Sequence, residues 1–187
     1  ESEREETIWH FNRSFGRMIT QVKHSPIPVI AAVEGAVLGG GFGLACVADI
    51  TIASDSAFFA LPETGLGVIP AQIAPFVAGR IGIDHTKRLA LTGEKLNAEQ
   101  ALHLGLVHRV CSAHSIKAQI NNAIKQLKQC APEANSNTKR LLLGLNNTPL
   151  EQVLDDAAAA FVRSLSSEEG IEGTKAFMQK RKPSWCE

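Results

Sequence analysis

The sequence predicts an α/β fold: a βα core first, then an all-helical C-terminal region. Short apolar, β-branched runs alternate with helical stretches over the first 112 residues or so, and from Ser115 onward only helical periodicity remains. Pro26, Pro28, Pro62, Pro132, Pro149 and Pro183, with Gly82, Gly93 and Gly105, mark boundaries of these runs.

The elements follow in order. Between residues 7 and 23, Ile8, Phe11, Phe15, Met18, Ile19 and Val22 are spaced by three and four, one face of a helix. Ser25-Pro26-Ile27-Pro28 ends it, because a residue before proline is pushed out of the helical region. Val29–Val33 is short, apolar and β-branched, a buried strand of the parallel type. A glycine-rich turn and a helix start follow, then strands at Ile50–Ala53 and Ala57–Ala60, the latter ended by Pro62. Helices are predicted over Gln72–Ile81 and Lys87–Leu91, stopped by Gly82 and Gly93. Asn97 and Gln100 form a capping-box pattern that opens a helix to Leu104. Gly105 ends it, and Leu106–Val110 reads as a last strand. Four helices complete the chain: Ile116–Cys130, Ser136–Gly144, Leu150–Leu165 and Glu168–Arg181.

Composition narrows the function classes. Of 187 residues, 19 are basic and 19 acidic, so no bulk charge draws the chain to nucleic acid or an anionic membrane. An anionic ligand must be met by a local basic patch. No apolar stretch, Val29–Val33 included, is nearly long enough to span a bilayer. The first six residues are charged and do not read as a signal peptide. Cys46, Cys111, Cys130 and Cys186 make no C-x-x-C pair and show no zinc-ligand spacing with the six scattered histidines. Isolated cysteines of this kind fill core space in a reducing compartment, so a cytoplasmic location and no metal are expected.

The run Gly39-Gly40-Gly41-Phe42-Gly43 invites a nucleotide reading, but the position of the third fingerprint glycine is Leu44, and no Gly-Lys-Ser/Thr triplet occurs. A glycine turn opening a helix still presents free N–H groups and a positive dipole end, suited to an oxyanion. Equally, it is open to reading as a tight turn that needs positive φ or close packing.

Longer motifs decide between these. Ala32-Val33-Glu34-Gly35-Ala36, Gly39-Gly40-Gly41 with Leu44-Ala45, Ala48-Asp49-Ile50, Phe59-Ala60-Leu61-Pro62-Glu63, Gly65-Leu66-Gly67 and Pro70 stand in that order. Arg88–Gly93, Ala98–Ala101, Gly105-Leu106-Val107, Glu172-Gly173, Ala176-Phe177 and Lys180–Pro183 follow. Together they resemble the signature of the crotonase (enoyl-CoA hydratase/isomerase) family over nearly the whole chain. The resemblance implies a crotonase-like ββα spiral core over residues 1–112 and a helical region over 113–187 for oligomerisation and coenzyme A contacts. In that family a loop with the other oxyanion donor precedes the position of Glu1, so the fold is expected to be incomplete at the N-terminus.

What it implies for chemistry is specific. The middle glycine, Gly40, donates a backbone N–H to the thioester carbonyl, and Glu63 serves as acid–base. Family hydratases hold a water between two glutamates, and the first of these positions is Gly43 here. Gly39, Gly41, Gly43 and Leu66 fall at substrate-binding positions. Phe161 and Lys180 match positions that touch the adenine and phosphates of coenzyme A. Without the family, Glu63 reads as a solvated loop carboxylate or a cap, Phe161 as core, and Lys180 as part of a solvated basic tail. Acyl-coenzyme A is the implied substrate with no further cofactor, and a homotrimer or dimer of trimers the implied assembly.

Three functions are consistent with these residues. One is water addition to an α,β-unsaturated acyl-CoA; Gly43 and the Pro70–Phe76 segment are similar to bacterial isohexenylglutaconyl-CoA and methylglutaconyl-CoA hydratases. Another is a Δ3-Δ2 enoyl-CoA isomerase, for which a single glutamate suffices. The last is a non-catalytic crotonase-like acyl-CoA-binding subunit.

Overall fold

Helix α1 (Ser2–Lys23) opens the chain, longer at its start than its apolar stripe predicts. Its first turn carries Glu3 and Glu5, which complement the helix dipole without showing hydrophobic periodicity. The computed structural model describes residues 2–145 and 148–186, so expectations attached to Glu1 lie outside the described residues.

The chain divides into two compact units, Glu1–Lys23 with Val29–Asn121, and His24–Pro28 with Asn122–Glu187. The first unit holds two small sheets. In one, β1 (Ile30–Val33) pairs in parallel with β3 (Ile50–Ser54), which pairs in parallel with β6 (Arg109–Cys111). In the other, β2 (Ala36–Leu38) runs parallel to β4 (Phe58–Ala60), and β4 antiparallel to β5 (Leu96–Asn97). Strand β2 is too short to show alternation in the sequence; it appears only once β4 offers it a ladder.

Between β2 and β3 lies α2 (Gly40–Val47), almost wholly apolar and largely buried. The Phe42 and Phe59 rings meet edge-to-face with centroids 6.0 Å apart, joining α2 to β4 at the centre of the core. Asp49, just past the helix, accepts the Val29 N–H at 2.7 Å and fixes the start of β1. Helices α3 (Ala74–Ile81), α4 (Ile83–Thr92) and α5 (Ala98–His103) follow. Asn97 and Gln100 form the expected reciprocal capping box.

The last strand begins later than Leu106. The Leu106 and Val107 N–H groups turn back onto the Ala101 carbonyl to close α5, so sheet bonding starts with His108 N–H donating to Thr51 O at 2.8 Å.

Helix α6 (Ile116–Leu127) begins in the first unit and ends in the second. The second unit holds α7 (Pro132–Gly144), α8 (Leu150–Leu165) and α9 (Glu168–Met178). Glu169 of α9 accepts the Glu133 and Ala134 N–H groups at 2.9 and 3.1 Å, capping α7 from outside it. The Trp185 indole covers Gly173, where a Cβ would lie 2.9 Å from the ring. Glu172 holds Arg181 by two bonds of 2.6 and 2.7 Å. That pairing, with the Ser184 N–H, holds the Glu172 carboxyl down at about 2.

Candidate active site

The glycine turn and the Pro-Glu turn meet in the first unit. Gly39 has φ 49 and ψ −113, a conformation open to glycine and closed to residues with a Cβ. Its N–H donates to Ala60 O at 3.2 Å, tying the turn to the end of β4. Two residues after Ala60 the chain reaches Pro62 and then a 3-10 turn, Glu63–Leu66. Thr64 Oγ1 donates to Ala90 O at 2.7 Å and the Val68 N–H to Glu63 O at 3.0 Å, so the turn is fixed at both ends.

This arrangement lays the Glu63 side chain over the bare Cα of Gly39. A Cβ at 39 would stand 2.9 Å from Glu63 Oε1. The other oxygen, Oε2, is buried and has no hydrogen-bond partner among the described residues. Burying an acceptor without a partner costs about 1–3 kcal/mol. A solvated loop carboxylate or a helix cap would not show this; an acid–base group held ready for an incoming proton would. Gly40 is the first residue of α2, so its N–H has no acceptor within the helix and lies at the positive dipole end. Phe15 of α1 covers it, with its ring tip 2.6 Å from where a Cβ would stand. Gly41 has only Val37 nearby, at 4.0 Å from a hypothetical Cβ. Leu66 ends the 3-10 turn and is exposed.

Gly43 is buried in α2 and has no positive φ, so its backbone would accept a side chain. What excludes one is packing. A Cβ there would lie 2.5 Å from Ile73 Cγ2, 2.9 Å from Ile73 Cβ and 3.1 Å from Ile19 Cδ1. Next to Ile73, Gln72 rests against α1: its Nε2 donates to Asn12 Oδ1 at 3.0 Å, and Arg13 approaches its Oε1 at 3.5 Å. Sequence reasoning missed Phe15, Ile19 and Ile73 as residues that shape the site. Each is apolar within an apolar helical pattern, and nothing in such a pattern says which bare glycine it will cover.

Phe161 and Lys180 belong to the second unit. Phe161 is 68% exposed on α8, so the alternative of a core residue does not hold. The last helix stops at Met178, short of the predicted Arg181, and Lys180 stands beyond it with φ 54. Among the described residues no group of three or more His, Cys, Asp or Glu side chains is placed to hold a metal ion, and no helix is long and apolar enough to cross a membrane.

Comparison with known proteins agrees over this whole region. A family model described as enoyl-CoA hydratase/isomerase matches residues 2–187. A carnitinyl-CoA dehydratase of Citrobacter koseri is 34% identical over 176 residues, which cover 89% of this chain and 66% of that protein. The chain thus spans a little less than two thirds of that curated relative. Among solved structures, an enoyl-CoA hydratase/isomerase from Marinobacter aquaeolei matches with a TM-score of 0.95 at 49% identity, over 98% of this chain and 70% of its own. Pseudomonas aeruginosa AtuE also matches with a TM-score of 0.95 at 49% identity, over 97% of this chain and 71% of its own. With the glycine turn, the Pro-Glu turn and the fold all in agreement, the chain belongs to the enoyl-CoA hydratase/isomerase family.

Proposed function

We propose that this protein adds water to an α,β-unsaturated acyl-coenzyme A, through a thioester enolate whose oxygen is stabilised at the start of α2. The observation that carries this reading is the buried Oε2 of Glu63, without a hydrogen-bond partner among the described residues, beside the Gly39–Gly40 turn. The Gly40 N–H and the dipole of α2 would meet the thioester oxygen as negative charge develops on it. Glu63 would exchange protons with the carbon next to the thioester. Curated relatives named carnitinyl-CoA dehydratase support water addition or its reverse over other reactions of the family. Phe161 and Lys180 are assigned to the coenzyme A moiety. Acid–base chemistry of this kind asks for no metal or redox group besides the acyl-CoA itself. The four free cysteines fit a cytoplasmic setting.

For the acyl group we propose a branched, glutaconyl-type substrate. With glycine at 43, only Glu63 offers a carboxylate at the two family positions, and a carboxylate on the substrate would supply the second acceptor that orders the water. The same single carboxylate favours a second reading, Δ3-Δ2 isomerisation, in which Glu63 carries one proton between two carbons. Incubation with a 2-enoyl-CoA, a 3-enoyl-CoA, a glutaconyl-type CoA and a saturated acyl-CoA separates the readings. Water incorporation into the glutaconyl-type substrate is expected. Double-bond migration alone would replace the hydratase by the isomerase, and binding without turnover would leave only an acyl-CoA-binding subunit.

A further inference from the structure

Helical side chains lean back toward the helix N-terminus. Gly43 stands one turn after Gly39, and the bare Cα of Gly39 faces Glu63. A long side chain at 43 would therefore lean toward the Gly39 end of α2, the end at which Glu63 lies. The backbone at 43 allows one, since its φ is not positive. The obstacle is a single residue, Ile73, which is 4% exposed and stands at the entry to α3.

The obstruction has two parts. Ile73 Cγ2, at 2.5 Å from a Cβ at 43, could swing aside by rotation about χ1. Ile73 Cβ, at 2.9 Å, cannot, because it is fixed to the backbone. Ile19 Cδ1, at 3.1 Å, is the far end of a flexible side chain and gives way at little cost. Shortening Ile73 to alanine would remove Cγ2 but leave the backbone-fixed Cβ in place; only glycine at 73 clears both. The backbone at 73 accepts glycine, since Ile73 is the cap residue of α3 and uses no side-chain hydrogen bond in that role, but emptying this buried position leaves a cavity and lowers the melting temperature of that background.

We infer that Ile73 is the specificity-determining residue of this site: it fills the place a second carboxylate would take, and so restricts water addition to substrates that bring their own carboxylate to hold the water. This rests on the reading of Glu63 as the acid–base residue. In the reaction, the water O–H bond breaks, its oxygen bonds to the β-carbon, a proton adds to the α-carbon, and the carbon–carbon π bond is lost. No oxidant or reductant is involved.

A melting cycle in the complete protein tests the steric half. Gly43→Ala should lower the melting temperature by about 5–10 °C with Ile73 present, as overpacked cores do. In an Ile73→Gly background the same change should be neutral or stabilising, because alanine favours a helix interior more than glycine. Equal losses in both backgrounds overturn the inference. The chemical half is read from the Gly43→Glu, Ile73→Gly double variant. Its kcat/KM for a straight-chain 2-enoyl-CoA should rise about 10-fold or more over wild type, through kcat. Turnover of a glutaconyl-type CoA should fall, since a second carboxylate repels the substrate's own. Ile73→Gly alone supplies no carboxylate and should not raise straight-chain turnover. A folded double variant without the gain, or an equal gain from Ile73→Gly alone, overturns the specificity claim. A wild type inert toward every enoyl-CoA sinks the hydratase reading instead, and with it the substrate half of this inference, while the melting cycle still decides the steric half.

Discussion

Glu63 carries a cost that the fold does not need, an acceptor oxygen buried without a donor among the described residues. Replacing it with glutamine keeps the shape and removes the charge. Glu63→Gln is expected to lower turnover by about 10²–10⁴-fold, the usual contribution of a general acid–base group. Acyl-CoA affinity should stay within a few-fold and the melting temperature should not fall. Steady-state kinetics with calorimetric binding checks this, and near-wild-type turnover would take Glu63 out of the mechanism. His108 offers a separate test, on stability. Its Nδ1 accepts the Thr51 N–H at 2.9 Å, so the ring is neutral in the fold. Burial lowers its pKa, and Arg80, 3.3 Å from the ring, lowers it further, against a smaller opposing pull from Asp49. The unfolded chain therefore takes up this proton at a higher pH than the folded one. Stability from this site is complete above the ordinary histidine value and is lost as pH falls through it toward the lowered one. His108→Asn, whose Oδ1 still accepts from Thr51, should flatten that part of the profile, seen as a smaller drop in urea midpoint between about pH 7 and 5. An unchanged slope would show that other groups set it. At this scale Glu63, Gly39 and Gly40 could be singled out in the sequence because they stand within the motifs that resemble the family's. Ile73 and Phe15 were not, because their meaning lies in which glycine they cover.

Elements with a full stripe or a cap were read well from sequence. Helix α8 has the predicted bounds, and the capping box at Asn97 is in place. Ends set by tertiary bonding were not: β2 needs β4, and the start of β6 depends on where α5 closes. The end of α9 is the instructive case. Charged residues continue the helical pattern through Arg181, yet Lys180 turns into the left-handed region at φ 54. Its N–H donates to Phe177 O at 3.1 Å and the Arg181 N–H to Ala176 O at 3.0 Å, a Schellman closure with lysine where glycine is usual. A non-glycine residue there costs about 1 kcal/mol. Lys180→Gly is therefore expected to raise the melting temperature by about 2–4 °C. If Lys180 serves the phosphates of coenzyme A as proposed, the same variant should bind acyl-CoA about 5-fold more weakly, a loss of roughly 1 kcal/mol, while binding of an acyl-pantetheine stays unchanged. Opposite signs on stability and affinity distinguish a retained functional lysine from an accidental one. Equal losses for both ligands would remove the phosphate role.

The second unit leaves more apolar surface in water than its own core accounts for. Leu150, Leu154, Phe161, Val162, Phe177 and Met178 on α8 and α9 are all at least half exposed, and Phe177 reaches 85%. Monomeric proteins rarely leave apolar patches larger than about 300–600 Å² uncovered. Fully burying one such side chain is worth about 1.5–3 kcal/mol, so a few of them suffice to drive association. Charge does not oppose it, since the 19 basic and 19 acidic residues cancel and like copies do not repel in bulk. Self-association into a homotrimer or a dimer of trimers is the expected outcome, with α8 and α9 contributing to the contact. Light scattering of the complete protein at micromolar concentration should return three or six copies, and a monomer would reject the assembly. Leu154→Asp locates the contact: Leu154 is 53% exposed, so the change costs the isolated unit little. In an interface the same aspartate would be buried without a partner and would break the oligomer. A Leu154→Asp protein that is folded but still trimeric or hexameric would place the contact on another face. One that dissociates while Glu63-dependent turnover also falls would show that catalysis depends on assembly as well as on the glycine turn.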